Sequence, residues 1–173
     1  MTILRFATGD ATGMHSLIKA VLVAVALAFA TPVTAQDFEA GWEAAQRDDY
    51  VAAEREWRPL AEQGHADAQT KLGQLYAAGR GVPQDDAEAV NWYRKAADQG
   101  NALARIALGF NYFVGLGVEK DYIQAYVWGD LAVAQGSEEA IILRKLAASK
   151  MTPEEIAEAR KLAREWKPKQ LQQ

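Results

Sequence analysis

Apolar and small residues recur at intervals of three and four along most of the chain, the spacing of one helix face. Over residues 66–78 they stand at Ala68, Leu72, Leu75 and Tyr76, with Gly73 and Ala77 beside them, and predict a helix. Gly79 follows at the position where a helix commonly ends in a left-handed residue, and residues 79–84 read as a loop. Asp85 or Asp86 then caps a second helix that runs to about Gln99, with Ala89, Trp92 or Tyr93, Ala96 and Ala97 as its buried stripe. Gly100 closes it. The same plan returns over residues 102–114, 115–120 and 121–135, closed by Gly136.

Residues 66–101 and 102–137 align without a gap and are identical at 14 of 36 positions. A fixed period of this length is the signature of stacked repeats. The shared residues have readable tasks. Gly73/Gly109 and Ala89/Ala125 predict close approaches of helix backbones, Tyr76/Tyr112 and Trp92/Trp128 fill the wedge between helix pairs, and Val82/Val118 pins the loop to the core. A degenerate copy precedes them, with helices over 37–47 and 49–63 and Gly64 placed 36 residues before Gly100. Trp42 and Trp57 are its expected wedge residues, and Pro59 should bend its second helix.

After residue 137 the pattern changes to helices over 138–149 and 153–166. Thr152-Pro153-Glu154-Glu155 is a strong start signal: a Thr cap, Pro at the first helical position and Glu three after the cap. Lys161, Arg164 and Lys167 come late, which suits the helix dipole. Pro168 stops the helix and leaves a short tail. The predicted fold is all-α: an α/α solenoid, a superhelical stack of antiparallel helix pairs, with a C-terminal capping helix pair over 138–167.

The spaced residues Ala-x-Ala-x-x-x-Leu-Gly-x-x-Tyr-x-x-Gly-x-Gly-Val-x-x-Asp, then Ala-x-x-Trp and a closing Ala-x-x-Gln-Gly, resemble the Sel1-like repeat, a relative of the tetratricopeptide repeat. The match is close at 66–100 and 102–136 and partial at 37–65. The segment from Met151 to Trp166 looks like the terminal helix of exported bacterial members. The resemblance implies an α/α superhelix and a non-enzymatic protein-interaction or adaptor module. It also implies an alternative, since a cysteine-rich secreted branch is linked to penicillin binding or β-lactam hydrolysis. That branch staples its helix pairs with disulfides, and this chain has no cysteine.

Residues 20–30 are apolar and uncharged, preceded by Lys19, and Val33 and Ala35 fit the small-x-small rule for signal cleavage before Gln36. Eleven residues rise about 16 Å as a helix, short of a hydrocarbon core of about 30 Å, so a signal peptide over 1–35 is expected, with a retained anchor as the alternative. A start at Met14 would give a more ordinary signal. The chain is therefore expected to be exported, to the periplasm or beyond, with no stable membrane span after cleavage. Removing residues 1–35 leaves 17 basic against 22 acidic side chains. An acidic domain of this kind offers no basic stripe for nucleic acid and no polybasic segment for an anionic membrane.

No catalytic, metal or cofactor site is expected. His65 is the one histidine after residue 35 and stands at a repeat junction, where its counterparts are Asn101 and Ser137. The carboxylate pairs Asp48-Asp49, Asp85-Asp86, Glu138-Glu139 and Glu154-Glu155 lie at predicted helix starts, where negative charge is stabilising. Gly79-x-Gly81 and Gly115-x-Gly117 lack the lysine and preceding strand of a phosphate loop. A peptide or helix partner is expected on the concave face, lined by first helices at positions where the two copies differ. The candidate partner-binding residues are Gln69, Thr70, Gln74, Arg105, Phe110 and Asn111. Phe110, opposite Gln74 in the alignment, is either an exposed aromatic anchor or a contact to the C-terminal cap.

Overall fold

The computed structural model of the chain describes residues 35–167. The expected signal segment, the alternative start at Met14 and the tail over 168–173 lie outside the described residues. Within them are α1 (Ala35–Gln46), α2 (Tyr50–Glu62), α3 (Ala66–Ala78), α4 (Asp86–Asp98), α5 (Ala102–Val114), α6 (Tyr122–Val133), α7 (Glu139–Ala148) and α8 (Pro153–Glu165). Each helix through α6 packs on the next, and α5 also meets α7. The last helix, α8, lies chiefly on α6.

Local chemistry sets these bounds. The His65 ring accepts from the Ala68 N–H through Nδ1 at 3.3 Å, and Asn101 accepts from the Ala104 N–H at 2.9 Å, so two different residues cap α3 and α5 alike. Gly79 and Gly115 end those helices in the left-handed region, at φ 63° and 86°. Asp85 and Asp121 then accept from the N–H groups of Glu88 and Gln124, both at 2.9 Å. Their own N–H groups donate back to the Tyr76 and Tyr112 carbonyls, which closes each loop. Thr152 and Glu155 form a full capping box around Pro153. Pro59 sits inside α2, past its first turn, where it removes the N–H that would bond the Arg55 carbonyl.

Three apolar clusters run along the stack. The first joins Trp57, Leu60, Leu72 and Leu75 to Trp92. The second joins Ala89, Tyr93 and Leu108 to Trp128. The third joins Ala125 and Tyr126 to Ala159 and Ala163 of α8. Trp92 and Trp128 each reach back into the cluster of the preceding repeat, as wedge residues should, and Val82 and Val118 pack on the first and second clusters.

Two expectations are corrected. Trp42 is not a wedge residue: it is 40% exposed, whereas Trp57 is buried and donates through Nε1 to the Phe38 carbonyl at 3.1 Å. The reason is Gly41, where a Cβ would fall on the Trp57 indole, so α1 turns Gly41 inward and Trp42 away. Nor do Gly73 and Gly109 both serve backbone approach. The space at Gly73 is taken by the Tyr93 ring, and that at Gly109 mainly by Leu143, with the Ala125 carbonyl 3.3 Å from where a Cβ would stand. Tyr93 has Gly129 as its counterpart, so the second copy must fill that space from α7.

The loop glycines make the tightest contact between repeats. A Cβ at Gly81 would stand 2.5 Å from the carbonyl carbon and oxygen of Tyr50, and one at Gly117 closer still to the Asp86 carbonyl. Tyr50 and Asp86 are the first residues of α2 and α4, so each loop rests on the second helix of the repeat before it. Gly136, at φ 88°, has nothing within 4 Å of the same position. Gly136→Ala should therefore cost about 1–2 kcal/mol, the strain of a left-handed side chain alone. Gly117→Ala should cost about 3 kcal/mol or more, because backbone must also move. Urea unfolding of both variants checks this, and equal losses would contradict it.

Candidate functional site

Four of the six residues expected on a binding face are interior. Gln69 is 4% exposed, Thr70 2%, Arg105 5% and Asn111 7%. Their polar groups explain why. Gln69 Nε2 donates to the Ala61 carbonyl at 2.9 Å, and its Oε1 accepts from Gln99 at 2.7 Å. At the equivalent position Arg105 Nε donates to the Ala97 carbonyl at 3.2 Å, and its Nη1 donates to the Leu131 carbonyl at 3.2 Å. Ala61, Ala97 and Leu131 lie in the last turns of α2, α4 and α6, where carbonyls lack partners in their own helix. Gln and Arg thus do the same task in two copies. The Arg105 guanidinium also lies 4.5 Å from the centre of the Trp166 ring, and burial lowers its pKa while Asp98 acts to raise it. Thr70 donates back to the Ala66 carbonyl within α3, and the Asn111 carbonyl receives the N–H groups of Gly115 and Leu116 that end α5. The expectation that Gln69, Thr70 and Arg105 face a partner is corrected to a packing and capping role, while Asn111, though buried, is among the residues that line the groove described next. Gln74 is half-buried, and Phe110 is 51% exposed.

Phe110 belongs to a groove of about 610 Å³ walled by α5 and α7. Leu103, Ile106 and Phe110 line it from α5, Leu116 from the following loop, and Ile142 and Leu146 from α7. Leu103, Phe110, Ile142 and Leu146 are all among the exposed large apolar side chains. Their counterparts in the preceding copy for Leu103 and Phe110 are Asp67 and Gln74, so the apolar face is particular to the second copy. Beneath it lies Tyr93, whose hydroxyl burial pushes up to about 12. Asp86 and Glu139 border the groove, and no Lys or Arg is among its lining residues. The carboxyl of Glu139 is held below its usual range by its own backbone N–H and by the Ser137 hydroxyl.

Sequence reasoning placed Phe110 here but missed Ile142 and Leu146. A signal for them was present: Ile142 and Leu146 are a turn apart, on a face of α7 distinct from the one carrying buried Ala140, Leu143 and Ala147. Elsewhere Lys71 Nζ stands 4.5 Å from the Trp42 ring centre, in a smaller hollow that includes Tyr50 and Arg80. Burial lowers the Lys71 pKa there. His65 is occupied as the α3 cap and stacks on Phe38 at 5.2 Å. Among the described residues no group of three or more His, Cys, Asp or Glu could hold a metal ion, and no helix is long and apolar enough to cross a membrane.

Comparison with known proteins agrees with this architecture. The family model described as Sel1 repeat matches residues 66–101 and 102–137. A Sel1 repeat protein from Oxalobacter formigenes has a similar solved structure, at TM-score 0.58 and 38% identity, over 63% of this chain and 85% of that one. A protective antigen present in uropathogenic Escherichia coli strains, displaying an SLR fold, is similar at TM-score 0.70 and 32% identity over 73% of this chain. This chain spans 28% of that antigen's length. No curated protein sequence matches.

Proposed function

The chain belongs to the Sel1 repeat family, and we propose that it is a non-enzymatic protein-interaction module of the bacterial cell envelope that holds a peptide or a single helix in the groove between α5 and α7. Repeats of this kind usually mediate protein interactions. The observation that carries the reading is the concentration of half-exposed Leu103, Phe110, Ile142 and Leu146 around one groove. Apolar side chains gathered this way on a monomer mark an interaction surface. The groove's size suits one segment, and aromatic anchors such as Phe110 dominate interface energies.

Placement in the envelope rests on residues 20–35, with their apolar run and small-x-small ending. N-terminal sequencing of the chain recovered from the producing cell should begin at Gln36. A chain that retains residues 20–30 would point to an anchor instead.

For the groove, the test compares proteins captured from envelope extract by the wild type and by Phe110→Asp. A buried charge at an anchor typically removes 2 kcal/mol or more of binding energy, so the specific partner should fall by about thirtyfold. Phe110 is half exposed in the free chain, so the variant should unfold at nearly the same urea concentration as the wild type. Identical capture by the two proteins would remove Phe110 from the binding face.

A further inference from the structure

The far end of the stack holds a second cleft of different chemistry. Because α8 lies chiefly on α6, a hollow of about 420 Å³ is left with α6 as its floor and α7 and α8 as its walls. Arg144 and Lys145 enter it from α7, and Arg160 and Arg164 from α8. Asp130 is the one carboxylate among the lining residues. Two of the guanidiniums are held from the floor. Arg144 Nη1 donates to Asp130 Oδ1 at 2.7 Å, and Arg160 Nε donates to the hydroxyl of buried Tyr126 at 3.2 Å. Neither Lys145 nor Arg164 makes an ion pair among the described residues.

The chain as a whole carries a net charge of −4, so four cations around one carboxylate are a local reversal of sign. Ordinary solvated cations spread along a helix face and point apart. Here they come from two helices toward a shared hollow, and a cleft lined by one sign of charge concentrates its field there. Fixed guanidiniums with further N–H groups unspent suit oxygens that carry more than one negative charge. We propose that this cleft is a binding site for a phosphate group, separate from the apolar groove. The overall acidity of the domain does not argue against it, because a binding site responds to the charges within a Debye length, about 8–10 Å.

The phosphate can belong to a soluble ester or to a lipid headgroup, and the test separates them. The full chain is titrated at low ionic strength with inorganic pyrophosphate, and separately with phosphatidylglycerol vesicles against phosphatidylcholine vesicles. Each titration is repeated on Arg160→Gln/Arg164→Gln, both exposed positions where Gln keeps a good helix former. The site predicts saturable binding by the wild type, weakened at least about tenfold in the double variant, since each charge-assisted contact is worth about that factor. Binding of pyrophosphate without vesicles assigns a soluble phosphate ligand. Preferential binding of phosphatidylglycerol vesicles assigns a headgroup. No saturable binding of either, or equal binding by the variant, overturns the proposal. If circular dichroism shows that the double variant has lost helix, exposed Lys145→Gln carries the same comparison.

Discussion

Everything in this fold follows from the place where a loop meets the helix before it. Gly81 and Gly117 bring loop backbone against the first turns of α2 and α4 so closely that no Cβ fits. That contact fixes how far each repeat advances on the last. Other pairs then fall into register at the same period. Arg58 Nη2 donates to the Tyr76 hydroxyl at 2.8 Å, and Arg94 Nη2 to the Tyr112 hydroxyl at 2.6 Å, 36 residues along in both partners. Trp92 and Trp128 fill the wedge that this spacing leaves, with their indole N–H groups buried and without a protein acceptor. Shape, more than hydrogen bonding, selects Trp at these positions.

Much of the architecture is legible in the chain because packing demands particular residues. Gly79, Gly81, Val82 and Asp85 recur as Gly115, Gly117, Val118 and Asp121 since a left-handed turn, a close approach, a plug and a cap each admit few alternatives. Legibility fails where unlike residues do one task. Gln69 and Arg105 both satisfy a carbonyl in the last turn of the preceding helix, yet their difference in type reads as variability, and so as surface. His65 and Asn101 pose the same problem at a cap. Trp42 misleads in the opposite sense, because a tryptophan beside an inward glycine looks like core from its spacing.

The candidate sites are less legible because both depend on where α7 stands, and the basic cleft on α8 as well. The lateness of Arg164 in its helix is explained well enough by the helix dipole, and nothing local joins it to Arg144. Their meeting is a consequence of α8 resting on α6, which no spacing within either helix reveals. The apolar groove is likewise made between helices, by α5 and α7. Positions 103 and 110 are polar in the first copy and apolar in the second, where α7 stands opposite. Leu143 of α7 takes the space at Gly109 that Tyr93 takes at Gly73, and this seats the helix that completes the groove.

Residues shared between the copies hold the stack, while Leu103 and Phe110 of α5 and Ile142 and Leu146 of α7 stand exposed beside one groove. The direct measurement is the unfolding free energy of a variant carrying Leu103→Gln, Phe110→Gln, Ile142→Gln and Leu146→Gln together. The account predicts one cooperative transition and a total loss of no more than about 2 kcal/mol, because surface substitutions cost about 0.5 kcal/mol each. A loss of about 5 kcal/mol or more, the scale of emptying a buried leucine such as Leu72 or Leu108, would show that these side chains belong to the core and would contradict it.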